Sequence, residues 1–205
     1  MTEPLKSPPG ARAPDASRRR LLGLAGMGLV GIGLSCLGSA ASASSWPRRT
    51  RFDGFDERHL AIRQAGGGEA MHVAFRTRSG VVDMIGVNRL SFLFRDWRDE
   101  GQGLLIEVAL FDVLARMQTV LTTLADRPTA LLLNSGYRTP ERNRTIEGAA
   151  VHSQHIVGRA ADIQAGGFDD ATVADVAEVA GGHGVGRYEN FTHVDVGPRG
   201  RRWSG

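Results

Sequence analysis

The stretch Val151–Ile163, reading VHSQHIVGRAADI, constrains the chain more than any other. It carries Ser153-x-His155-x-x-Gly158-x-Ala160-x-Asp162. Ala160-Ala161-Asp162-Ile163 is predicted to be a strand. Its period of two puts Ala160 and Asp162 on one face and Ala161 and Ile163 on the other. A strand that presents a carboxylate on one face and aliphatic side chains on the other needs a core behind it and a partner charge in front. His155, seven residues before Asp162, suits the role of a second ligand to one metal ion.

The remaining cysteine chemistry narrows the metal. Cys36 is the only cysteine, and it lies in the first 43 residues. The chain after that point can have neither a disulfide framework nor a Cys-rich zinc site. A metal must therefore be held by His, Asp or Glu, and such a ligand set with an open position is the catalytic pattern of zinc. In the segment Phe191–Val196 (FTHVDV), His193 and Asp195 share one face of a predicted strand. If that face lies beside Asp162, His193 is the third ligand. Arg138, in Ser135-Gly136-Tyr137-Arg138, offers a permanently charged fork for an oxyanion or a substrate carboxylate.

The first 43 residues read as an export signal. Ser17-Arg18-Arg19-Arg20-Leu21-Leu22 precedes an apolar Gly/Leu/Ala run and an Ala41-x-Ala43 cleavage site. The paired arginines resemble a twin-arginine signal, which implies the periplasm. A retained membrane anchor and a lipoprotein modified at Cys36 are the alternatives. Residues 44–58 read as a flexible lead-in and 59–205 as a single domain. The formal charge of +3 comes from the leader: beyond residue 43 stand 20 arginines and 20 acids. A neutral domain argues against a nucleic-acid partner. No membrane span is expected in the mature chain, which is read as a monomer.

The rest of the chain alternates short strands and helices. Strands are predicted at His59–Arg63 and Met71–Phe75 around a Gly66-Gly67-Gly68 turn, with a third short one at Gly80–Val82. Helices are predicted at Val87–Trp97 and Leu104–Leu124, the latter with Leu110, Leu114, Met117, Leu121 and Leu124 in one stripe. Thr129–Leu133 reads as a buried strand, and Pro140 opens a short helix capped by Thr139. A helix follows from Asp170 or Thr172 to about Ala180. Val185–Tyr188 and Phe191–Val196 read as a hairpin, and the Gly/Arg-rich end as a tail carrying Trp203. His59 and His72 read as ordinary strand histidines, and His183 as a solvated turn residue.

The order SGYR, SxHxxGxAxD and HxD resembles the zinc D-Ala-D-Ala peptidase family, which includes the VanX and VanY peptidases and shares the hedgehog fold. Within it the chain is most similar to the murein endopeptidase type. The resemblance covers Leu60 to Trp203. It implies an α+β fold, a small central antiparallel sheet with helices packed on it. It implies one Zn²⁺ per chain on His155, Asp162 and His193, and Arg138 as the charge-stabilising arginine. It implies peptidoglycan peptide as substrate. Ser153 is then expected to support the ligands. His152 and Tyr137 are candidates for a supporting or substrate contact. Many relatives carry an acidic residue three positions before the third ligand, as general base; here that position is Asn190. Asp195 is the candidate for base or for orienter of His193. A carboxypeptidase and a non-catalytic zinc-containing binding module are the rival functions.

Overall fold

The computed structural model describes residues 57–205. The expected leader, its cleavage site, Cys36 and residues 44–56 lie outside the described residues. Seven strands form one sheet in the order β2-β1-β3-β4-β6-β5-β7. They are β1 (Arg58–Gln64), β2 (Ala70–Arg76), β3 (Leu131–Ser135), β4 (Ala160–Ala165), β5 (Gly184–Arg187), β6 (Thr192–Asp195) and β7 (Arg201–Ser204). Four α-helices accompany them: α1 (Met84–Leu93), α2 (Val108–Ala125), α3 (Pro140–Thr145) and α4 (Asp170–Val179).

The α+β class is as expected, with one refinement. The central strands β3, β4, β6 and β5 pair antiparallel, but β1–β3 and β5–β7 are parallel, so the sheet is mixed. Both parallel pairs need a crossover. The long α1–α2 connection makes one, and the whole β6 strand with its following turn makes the other.

The core lies between one face of the sheet and the helices. Leu110, Leu114, Met117 and Leu121 of α2 are wholly buried, as their spacing of three and four predicts. Leu124, expected in the same stripe, is 60% exposed, because the helix ends one residue later in a left-handed Asp126. Phe111 stacks edge-on to Phe94 at 5.3 Å and packs against Phe75 at 5.9 Å. By length and apolar content α2 could cross a bilayer. Its buried stripe is instead spent on β1 and α4.

Two helix boundaries differ from the sequence expectation. Leu104–Glu107 is not helical, because its backbone groups bond elsewhere: the Ile106 N–H to Ser91 Oγ (3.1 Å) and the Glu107 N–H to the Gly158 carbonyl (3.0 Å). Helix α1 stops at Leu93, and Asp96 turns inward to 1% exposure instead of continuing the surface of a helix. Gly80–Val82 contributes a single bridge, Val82 to Arg76, rather than a strand. Helix α4 is capped by Asp169, whose carboxylate accepts the Thr172 N–H at 2.7 Å. The predicted C-terminal tail is in fact strand β7, at the sheet edge.

Candidate active site

The opposite face of the sheet, away from α2 and α4, carries polar side chains over its centre. The register pairs Asp162 with His193 and Ala160 with Asp195 across β4 and β6. Alternation then places Ala161 and Ile163 in the core and Asp162 on the polar face, as the sequence predicts. His155 reaches the same point from a 3-10 turn, Gln154–Val157, which enters the strand through a left-handed Gly158. A side chain at Gly158 would also collide with Leu104 Cδ1.

The three expected ligands converge. His155 Nε2 lies 3.2 Å from Asp162 Oδ1 and 3.1 Å from His193 Nδ1, and His193 Nδ1 lies 3.0 Å from Asp162 Oδ1. Tetrahedral zinc with bonds of about 2.0–2.1 Å to N and O would hold its ligands roughly 3.3 Å apart. The donor set fits that ion in type, number and spacing. His155 and Asp162 are 1% and 3% exposed, and His193 is 9% exposed.

Each imidazole is fixed from behind. His155 Nδ1 is 2.6 Å from the Gly136 carbonyl, which can only accept, so Nδ1 carries the proton and Nε2 is free for a metal. His193 Nε2 is 3.1 Å from Asp195 Oδ2, which leaves Nδ1 facing the cluster. Burial pushes the His155 pKa down, against the pull of Asp162. Burial also opposes the charged form of His193, but hydrogen bonds to Asp162 and Asp195 outweigh it and raise its pKa. Asp162 is held far below the ordinary carboxylate range: burial opposes ionisation, and His155, His193 and Arg138 overcome it.

Arg138 closes one side. Its Nε donates to Ser135 Oγ at 2.8 Å, and its Nη2 donates to Asp162 Oδ2 in a short ion pair. Its loop is strapped down by Asp96, which accepts the Thr139 N–H (3.0 Å) and Arg142 Nη1 (2.9 Å). Thr139 caps α3 as expected. Arg98, stacked on Trp97 at 4.0 Å, reaches the Asn134 carbonyl at 3.4 Å beside the same loop. It has no carboxylate partner among the described ion pairs, and its pKa is lowered by burial and then by Arg142 and Arg138. Neither Arg98 nor Asp96 belongs to a recognisable motif; both sit in the polar run Arg95–Glu100, RDWRDE, whose only signal is its charge.

The other sequence candidates separate. Ser153 caps the 3-10 turn and accepts the His155 N–H at 3.3 Å, so it touches His155 through the backbone. His152 is exposed in a turn, outside the cluster. Tyr137 is partly buried against the core, its N–H donating to the Phe94 carbonyl at 2.8 Å. His59 and His72 lie together on the β1–β2 pair, 5.1 Å between rings, away from the ligands. His183 is not a free turn residue: its Nδ1 donates to the Gly197 carbonyl at 2.8 Å. Asn190 is exposed, and its carbonyl accepts from Gln164 Nε2. Asp195 is 0% exposed and lies behind His193, on the nitrogen turned away from the cluster.

A protein-family model described as Peptidase M15 matches residues 88–195, a span that runs from α1 to Asp195 and contains all three clustered residues and Arg138. The chain belongs to the peptidase M15 family. This M15 peptidase is also 33% identical over 195 residues to the peptidoglycan L,D-endopeptidase MepK of Escherichia coli strain K12, covering 92% of the present chain and 98% of that protein. The proteins of the same name from Escherichia coli O157:H7 and Shigella flexneri match to the same extent. The M15 peptidase is therefore similar to these relatives along nearly their whole length.

Proposed function

We propose that this M15 peptidase is an exported zinc endopeptidase that hydrolyses peptide bonds in peptidoglycan. The observation that carries the reading is the His155–Asp162–His193 triangle with Arg138 on its rim. Zinc held by those three side chains supplies a Lewis acid that polarises a carbonyl and acidifies water. The rest is done by the chain. Gly136 and Asp195 fix which imidazole nitrogens face the site. Arg138 offers positive charge where a carbonyl oxygen becomes an oxyanion, and its anchoring to Ser135 means that it needs little reorganisation. Asp195 orients His193 and is not aimed at the open side of the cluster.

The endopeptidase reading is supported by the full-length similarity to MepK, whose name states that activity. Export is supported by Arg18-Arg19-Arg20 and Ala41-x-Ala43, since the substrate lies outside the cytoplasmic membrane.

The test is digestion of defined, cross-linked muropeptides by purified mature protein, with zinc counted by mass spectrometry. About one zinc per chain and conversion of dimers to monomers are expected. His155→Ala should lose both. A non-catalytic module would hold zinc and give no products, and a carboxypeptidase would trim monomers and leave dimers intact. Dimer cleavage that survives both chelation and His155→Ala would refute the mechanism.

A further inference from the structure

Strand β7 does more than extend the sheet. Its residues alternate across β5 in two rows. Arg201 pairs with Gly184, which pairs with Asp195; Trp203 pairs with Gly186, which pairs with His193. The two glycines thus stand between the end of the chain and the site. Neither has a left-handed φ, so their backbone conformation does not require glycine. Space does. A Cβ on Gly184 would collide with Asp195 Oδ2 and lie 2.7 Å from Arg201 Nη2, and one on Gly186 would lie 2.5 Å from Trp203 Nε1. The side chains of β7 cross β5 through a lane that has no side chains of its own.

What crosses is specific. Arg201 Nη2 donates to Asp195 Oδ1 in a short ion pair, and the Gly197 N–H donates to the same oxygen at 2.8 Å. The other oxygen, Oδ2, is left for His193 Nε2. Asp195 is wholly buried, and a buried carboxylate needs both charge and hydrogen bonds to stay ionised. Trp203 lies over the His193 ring at 5.2 Å between centroids and donates Nε1–H to Tyr188 Oη at 2.9 Å. On its other face β7 is pinned by Arg202 to Glu178 of α4 (2.8 Å) and to the Gly182 carbonyl in the turn after that helix (3.2 Å).

We propose that Arg201 is a positioning residue for His193. It reaches across Gly184 to lock Asp195, and Asp195 in turn locks the ring of the ligand, with Trp203 covering that ring. The inference rests on the zinc reading above and assigns a role to the last strand of the chain, which no motif marks.

The experiment measures zinc affinity of the mature protein by competition with a chromogenic chelator, without substrate, for wild type, Arg201→Gln, Arg201→Lys, Gly184→Ala and Arg202→Gln. Loss of an outer partner to a metal-bound histidine typically weakens binding about 10–100-fold. Arg201→Gln and Gly184→Ala should fall in that range. Arg201→Lys should fall between Arg201→Gln and wild type, since it keeps the charge and loses the fork. Arg202→Gln breaks the contact to α4 on the opposite face and should leave affinity unchanged. The cobalt-loaded Arg201→Gln protein should show a shifted visible spectrum, which general loosening of the fold would not produce. Should Arg201→Gln be too unstable to assay, Arg201→Lys and Gly184→Ala decide the matter by the same measurement. Wild-type affinity and spectrum in the Arg201 variants would overturn the proposal, as would an equal loss in Arg202→Gln. A wild-type protein that takes up no zinc would instead sink the functional reading, and this inference with it.

Discussion

Gly136→Ala tests how tightly the site is coupled to the core. Gly136 has no left-handed φ, so backbone conformation alone would admit alanine. Packing would not. The new Cβ would stand 2.5 Å from the Phe94 carbonyl oxygen and 2.9 Å from Phe94 Cβ and Cδ1, short of an ordinary contact by roughly an ångström. Phe94 cannot give way, because it is wholly buried and stacked edge-on against Phe111. The loop must move instead. Overpacking costs about 1–3 kcal/mol. Weakening the Tyr137 N–H bond to the same carbonyl (2.8 Å) adds about 1 kcal/mol. For a domain of this size each kcal/mol lowers Tm by about 2–4 °C, so a fall of roughly 5–15 °C is expected in metal-free protein by calorimetry. The same displacement carries away the carbonyl that fixes His155 Nδ1, so zinc affinity should drop about 10–100-fold. Gly166→Ala is the control: its Cβ would meet nothing within 4 Å, and its Tm should stay within about 2 °C of wild type. A Gly136→Ala protein with wild-type Tm and zinc affinity would refute the coupling.

Three other perturbations follow from the same geometry. Arg138→Lys keeps the charge but cannot bond both Ser135 and Asp162; steady-state kinetics on a defined muropeptide should show kcat reduced about 10²–10³-fold with a much smaller change in KM, and an unchanged kcat would remove Arg138 from the reaction. Asp96→Ala strands a buried N–H and Arg142 and should cost about 3 kcal/mol, while Asp96→Asn keeps an acceptor for Thr139 and should cost about 1–2 kcal/mol; urea midpoints in the reverse order would refute the strap. Asp112 is partly buried, which opposes its ionisation, yet Arg76 and Arg58 hold its pKa below the ordinary value. A depressed pKa contributes stability that is present above the unfolded value and is lost as pH falls through the folded one. Asp112→Asn should therefore cost about 1–2 kcal/mol at pH 7 and progressively less below about pH 4, and an equal cost at pH 7 and pH 3 would refute the assignment.

The meeting of Asp162 and His193 was legible in the sequence because chemistry and periodicity agree there. Asp162 alternates with core residues on β4, His193 lies opposite it on β6, and both positions follow from a period of two. The stripe of α2 was legible for the same reason, since burial there obeys a single spacing. The start of α2 was not, because Leu104–Glu107 is kept out of the helix by Ser91 and Gly158, partners 15 and 51 residues away in the chain. Asp96 and Arg98 were illegible as individuals. A run such as RDWRDE is ordinarily a solvated surface, and only the fold turns one of its acids inward beneath the Arg138 loop.

The weak strand signal of β7 follows from the polar face that it joins. A strand is recognised by apolar residues alternating with polar ones, which presumes that the inner side is hydrocarbon. On β7 the inward residues are Arg201 and Trp203, aimed at a carboxylate and an imidazole, and the outward Arg202 is pinned to α4. The neighbour β5 contributes glycine at two of its four positions, the residue least favoured in strands. Both departures have one cause. Where a sheet face builds a polar site, each side chain is selected by what lies across from it in the register, so the binary pattern disappears where the site is assembled. Weak strand signal beside a strong ligand motif is then itself informative: in this chain Gly184-x-Gly186 and Arg201-x-Trp203 are two halves of one arrangement, and neither can be read without the other.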